Sequence, residues 1–113
     1  IKILLANGAV PVLAHPFFMF TKKNKSNNSQ IKTIITQLQS YGLMGIETYY
    51  GKHGPNEVLY LKNLCKELNI IPTGGSDFHN SGNPNEPIPG DAGPPMSTYT
   101  KLKEFHLDIK QKK

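Results

Sequence analysis

Apolar positions along this chain switch repeatedly between continuous runs and helical spacing, and the switches divide it into elements. Ile1 to Asn7-Gly8 reads as the end of a helix closed by a turn, so the chain is expected to open in mid-fold. Ala9-Val10-Pro11-Val12-Leu13-Ala14 is a short continuous apolar run ahead of His15-Pro16, the pattern of a buried parallel strand. Residues 21–29 are polar and turn-rich. Ile31, Ile34, Ile35 and Leu38 then recur at i, i+3, i+4 and i+7, predicting an amphipathic helix capped by Ser29 and stopped at Tyr41-Gly42. Leu43 to Tyr50, rich in aromatic and β-branched residues and ended by Gly51, predicts a second strand. Gly54-Pro55-Asn56-Glu57 supplies a turn, an early proline and an acidic first turn for a helix whose apolar face carries Val58, Leu61, Cys65 and Leu68. Ile70 to Thr73 is a third short strand, running into Gly74-Gly75-Ser76-Asp77-Phe78-His79.

Strand, helix, strand, helix, strand argues an α/β fold with parallel pairing and right-handed crossovers. From Asn80 to Ser97 the pattern breaks down: five prolines (Pro84, Pro87, Pro89, Pro94, Pro95) and three glycines (Gly82, Gly90, Gly93) predict an irregular segment, after which Leu102, Phe105 and Ile109 suggest a short terminal helix. Two regions follow, a strand-and-helix portion over 1–80 and an irregular, lysine-rich portion over 81–113. Three parallel strands are a poor independent fold, so N-terminal elements are expected to be missing and the chain to be a fragment.

Composition narrows this picture. With 113 residues, 37% hydrophobic and 19% charged, the chain has room for one soluble domain, and it carries no apolar run of membrane or signal-peptide type. Its single cysteine, Cys65, cannot form an internal disulfide and is expected to act as a small buried hydrophobe in a reducing, cytoplasmic setting. The net charge of +5 comes from thirteen lysines and no arginine, so the planar fork that grips phosphate bidentately is absent. Much of that charge sits in the terminal segment with Lys101, Lys103, Lys110, Lys112 and Lys113, and charge alone does not argue a stable nucleic-acid complex. His106, in that segment, is expected at the surface.

The chemistry gathers behind the strands. His15 ends the first, His53 lies shortly past the second, and Asp77 and His79 close the segment after the third. In parallel α/β architectures the carboxyl ends of the strands share one edge, where ligands bind. Asp77 and His79, at i and i+2, share a face in extended backbone, and the glycines before them permit a close approach.

Ala14-His15-Pro16, Gly45-Ile46-Glu47-Thr48-Tyr49 with His53, and Gly74-Gly75-Ser76-Asp77-Phe78-His79 together resemble the PHP family, the polymerase and histidinol phosphatase phosphoesterases. The resemblance covers roughly residues 8–80. It implies the last three βα units of a distorted (β/α)7 TIM-like barrel carrying two or three divalent ions (Mn, Zn or Fe), with His15, Asp77 and His79 as metal ligands and the other ligands in an N-terminal half that is not in this chain. The fragment by itself is then expected to bind metal weakly and turn over little. Relatives often place an arginine after His-Pro; here the run is Phe17-Phe18-Met19-Phe20-Thr21-Lys22-Lys23, leaving Lys22 or Lys23 as point charges for substrate phosphate. The aromatic run is core or a wall for a base. Asn80 replaces the family's glycine. His53 is the candidate to contact phosphate or protonate the leaving group, with Glu47 and Ser76 orienting ligands. The implied activity is hydrolysis of a phosphate ester on a nucleotide or short oligonucleotide. A non-catalytic PHP-like scaffold and a zinc amidohydrolase-type enzyme are the alternatives.

Overall fold

The computed structural model describes residues 1–20 and 28–112. Its elements run α1 (Lys2–Ala6), β1 (Val12–Leu13), α2 (Pro16–Phe20), α3 (Asn28–Ser40), β2 (Gly45–Tyr50), α4 (Pro55–Leu68), β3 (Ile71–Gly75) and α5 (Met96–Gln111). The strands form one sheet in the order β1-β2-β3, all parallel. This is the α/β arrangement that the alternation of elements predicts, here as an open sheet of three strands.

Three of the helices close in the same way and thereby launch the three strands. After α1, Gly8 N–H bonds Leu5 O and Ala9 N–H bonds Leu4 O. After α3, Gly42 N–H bonds Gln39 O and Leu43 N–H bonds Leu38 O; after α4, Asn69 and Ile70 repeat the pattern on Lys66 and Cys65. The residue at each corner has a positive φ (75° at Gly8, 105° at Gly42, 53° at Asn69), the left-handed conformation that ends a helix while satisfying its last carbonyls. An apolar residue follows each corner and turns into the sheet.

Strand lengths differ from the sequence pattern for backbone reasons. β1 is only two residues long: Pro11 has no N–H to contribute, although its carbonyl accepts from Met44 N and Gly45 N at 2.9 and 3.2 Å. Leu43 stays out of β2 because its N–H closes α3. The helix α3 already begins at Asn28, so Ser29 lies in its first turn, where its carbonyl accepts from the Thr33 hydroxyl, and is not the N-cap.

The core lies between β2 and two helices. Ile31 and Ile35 of α3 and Leu61, Leu64 and Cys65 of α4 pack with Ile46 and Phe17. Each such fully buried aliphatic side chain contributes about 1.5–3 kcal/mol. Thr48, wholly buried, sets its hydroxyl 3.7 Å from the Cys65 sulfur, and burial pushes that thiol's pKa up, so Cys65 behaves as the buried hydrophobe its helix position predicts. Along β2, Ile46, Thr48 and Tyr50 are buried, whereas Glu47 and Tyr49 on the alternate face are half-covered.

Two expectations for the C-terminal segment need correction. The terminal helix is long, sixteen residues, and α5 is fastened at both ends. Thr98 donates its hydroxyl to Pro72 O at 2.7 Å, while His106 Nδ1 donates to Gly8 O at 2.9 Å, so His106 is half-buried rather than at the surface. Propensity at the lysine-rich turns is good for helix, and buried Thr98 and Ile109 supply the packing that a short helix lacks. Among the described residues, no helix is long and apolar enough to cross a membrane.

One close contact controls the sheet. A Cβ added at Gly74 would stand 2.5 Å from Tyr49 O and 2.6 Å from Tyr49 Cβ, on the neighbouring strand of the ladder. Gly74→Ala should therefore destabilise the protein by about 1–3 kcal/mol, read as a lower urea midpoint at unchanged m-value.

Candidate functional site

At the carboxyl end of the sheet the ladder is irregular. Glu47 pairs with Thr73, but Tyr49 pairs with Gly74 and Tyr50 with Gly75, so β2 spends an extra residue, Thr48, between them. Bulges of this kind re-aim side chains next to sites. In the regular register Tyr50 would stand opposite Ser76. Pulled back by one residue, its hydroxyl donates to Asp77 Oδ2 at 3.1 Å.

Backbone strain marks the same edge. His15 has φ 29° and Asp77 φ 63°, positive values that non-glycine residues adopt at a cost of order 1 kcal/mol or more each and that cluster at functional positions. The turn at His15 is held by the Glu47 carboxylate, which accepts the His15 N–H at 2.8 Å. Ser76 is buried at the entry to the Asp77 turn.

Tyr50 is the hub. Its ring is 3% exposed and lies 5.7 Å from the His15 ring and 5.0 Å from the His53 ring, while its hydroxyl holds Asp77. His53 donates Nδ1–H to Thr48 O at 3.0 Å, which leaves Nε2 with its lone pair, buried and without a hydrogen-bond partner. Nδ1 of His15 is likewise buried and unpartnered. Burial, followed by the Asp77 hydrogen bond, pushes the Tyr50 phenol up to about 12.

His79 lies on the exposed side. Its Nδ1 is 2.6 Å from Asp77 O and 3.6 Å from Asp77 Oδ1, so donation to the carbonyl fixes the tautomer and leaves Nε2 free. The loop that carries it is tied by Glu86, whose carboxylate accepts from His79 N, Ser81 N and the Ser81 hydroxyl. Those bonds, the Ser81 hydroxyl foremost, hold the Glu86 carboxyl below the usual range. Lys52, Asp77, His79, Asn85 and Glu86 line a cleft of about 390 Å³.

Of the residues singled out by sequence, Asp77 and His79 are neighbours, and His15 and His53 both meet Tyr50, which links them to Asp77. Lys22 and Lys23 lie outside the described residues. Tyr50, Glu86 and Lys52 were not singled out. The buried alternation Ile46, Thr48, Tyr50 carried a signal for Tyr50; Glu86, in an aperiodic segment, had none. Imidazole and carboxylate donors with open nitrogens suit a divalent transition metal. Among the described residues, however, no three His, Cys, Asp or Glu side chains converge closely enough to hold an ion by themselves.

No family model matches the sequence, and no curated protein matches it. Among solved structures, the fold is similar to that of a Bifidobacterium adolescentis ATCC 15703 protein named a "putative metal-dependent phosphoesterase", with a TM-score of 0.66 at 23% identity. The match covers 92% of this chain and 35% of that one, so this chain spans about a third of that protein's length.

Tyr50→Phe should cost about 1–2 kcal/mol through the lost hydrogen bond to Asp77. Because the folded phenol titrates near 12 against an ordinary 10, the stability it contributes is complete below pH 10 and is lost as pH rises toward 12. Urea midpoints measured across that interval should fall less steeply in Tyr50→Phe than in the wild type.

Proposed function

We propose that this chain is the C-terminal part of a PHP-type, metal-dependent phosphoesterase, contributing the last three βα units of a distorted (β/α)7 barrel and hydrolysing a phosphate ester of a nucleotide or short oligonucleotide. The observation that carries the reading is the gathering of Asp77, His79, His15 and His53 at one strand-end edge, two of them on strained backbone and two with buried, unpartnered nitrogens. The shared fold with a protein named for metal-dependent phosphoesterase activity supports it.

In this reading His15, Asp77 and His79 would each contribute to a centre of two or three divalent ions, Mn, Zn or Fe, whose remaining ligands come from barrel strands outside this chain, since the three do not converge on one ion by themselves. Such an ion supplies Lewis acidity toward the phosphoryl oxygen and lowers the pKa of water. The residues here do the positioning. Glu47 fixes the His15 turn, the Tyr50 hydroxyl fixes one Asp77 oxygen, and the Asp77 carbonyl sets His79 Nδ1–H so that Nε2 faces away from its own segment. His53 keeps a proton on Nδ1, so Nε2 is the atom that would take a proton from the attacking water and pass it to the departing oxygen. Lys22 and Lys23 remain candidates for substrate phosphate. The half-covered face of β2 supports the idea of further barrel strands, since parallel sheets are ordinarily covered on both faces. A cytoplasmic setting agrees with the single free thiol.

The test uses the full-length parent with Mn(II) and an aryl phosphate. Asp77→Ala should lower turnover by more than about a hundredfold, since even residues that merely orient a metal ligand cost 10–100-fold. Undiminished turnover overturns the assignment, and a scaffold role predicts none in the wild type either.

A further inference from the structure

We propose that Lys52 is a phosphate-binding cation of this edge, the charge that receives the phosphoryl group in the cleft it lines. The inference rests on the phosphoesterase reading and names the phosphate contact for that site. A phosphoryl dianion approaching Asp77 and Glu86 meets carboxylates, and the chain has no arginine to counter them.

The backbone puts Lys52 in place. His53 N–H bonds Tyr50 O at 3.0 Å, closing a tight turn directly after β2 with Gly51 and Lys52 at its corner. From there Lys52 lines two adjoining hollows. One is the 390 Å³ cleft shared with Asp77 and His79; the other is a smaller space of about 90 Å³ shared with Phe18, Tyr50 and His53. It thus spans the two histidines for which the reading above requires a common substrate.

Its charge is uncommitted. The Nζ sits 5.5 Å from the centroid of the Phe18 ring, a contact that steadies an ammonium without neutralising it. Among the described residues Lys52 forms no ion pair, unlike Lys32, which is paired with Glu67. The nearby acids are engaged elsewhere: Glu57 accepts Gly54 N–H, Glu86 accepts from His79 and Ser81, and Asp77 accepts from Tyr50. An ammonium with three rotatable donors, on a side chain that lines both hollows, suits the non-bridging oxygens of a phosphate as a point charge.

The experiment measures binding of inorganic phosphate to the metal-free, full-length protein by calorimetry. Lys52→Met should weaken the Kd about tenfold and Lys52→Arg should largely retain it, while Lys62→Met, on the exposed side of α4, should change nothing. Thermal melts confirm that each variant folds. Wild-type phosphate binding that is absent, or that Lys52→Met leaves unchanged, overturns the inference. Turnover of an aryl phosphate separates it from the reading beneath it. Normal turnover with an unaltered KM in Lys52→Met sinks the role of Lys52 alone; Lys52-dependent phosphate binding without turnover in the wild type sinks the phosphoesterase reading alone. With both intact, Lys52→Met raises KM by about tenfold and leaves kcat nearly unchanged.

Discussion

Between Glu47 and Tyr49 the parallel ladder slips by one residue, and the carboxyl edge is organised around that slip. The extra residue, Thr48, turns its side chain inward onto Cys65, and its carbonyl accepts the Nδ1–H of His53. The following residues are drawn back along β3, so Tyr50 comes level with Gly75 and reaches Asp77. Gly74 is the counterpart on the other strand, since only a residue without a Cβ admits the Tyr49 carbonyl so close. Packing of the core and placement of Tyr50 and Asp77 at the carboxyl edge therefore share a few backbone atoms. Thr48 is fully buried, so the bulge is clamped from the core side by α4.

The edge is also polarised. Its interior side holds aromatic rings and unpartnered imidazole nitrogens, an environment that favours neutral groups and penalises any that lack partners. Its exterior side holds the cleft, the exposed His79 and a loop pinned by Glu86. Tyr50 lies on the boundary, with its ring among the histidines and its hydroxyl on the carboxylate. An edge with this division keeps its carboxylate and imidazole groups oriented from behind, while exposed His79 and Lys52 lie on the solvent side.

Much of the fold was legible from the period of apolar residues. Ile31, Ile34, Ile35 and Leu38 gave α3, Val58 to Leu68 gave α4, and the parallel order followed from the alternation of elements. What failed was local backbone chemistry that side-chain pattern does not encode. Pro11 cut β1 short through a missing donor, Leu43 was taken by a helix closure, and α5 was extended by contacts to Pro72 and Gly8, far away in sequence. At the edge, Asp77 and His79 stood out through their spacing and neighbouring glycines. Tyr50 did not, because an aromatic at the end of a strand reads as core until the bulge reveals which way its hydroxyl is drawn. Glu86 works through backbone N–H groups in a loop without periodicity, a role that no residue pattern announces.

The bond from His106 to Gly8 spans 98 residues. Local helices and the β2–β3 pairing close short loops and pay little chain entropy, but this contact closes a much longer one. Its loop-closure cost is correspondingly larger than that of the local contacts. The corner that launches β1 thus draws one of its ties from a helix far along the sequence, beside the local closure by Gly8 and Ala9 and the pairing of β1 with β2.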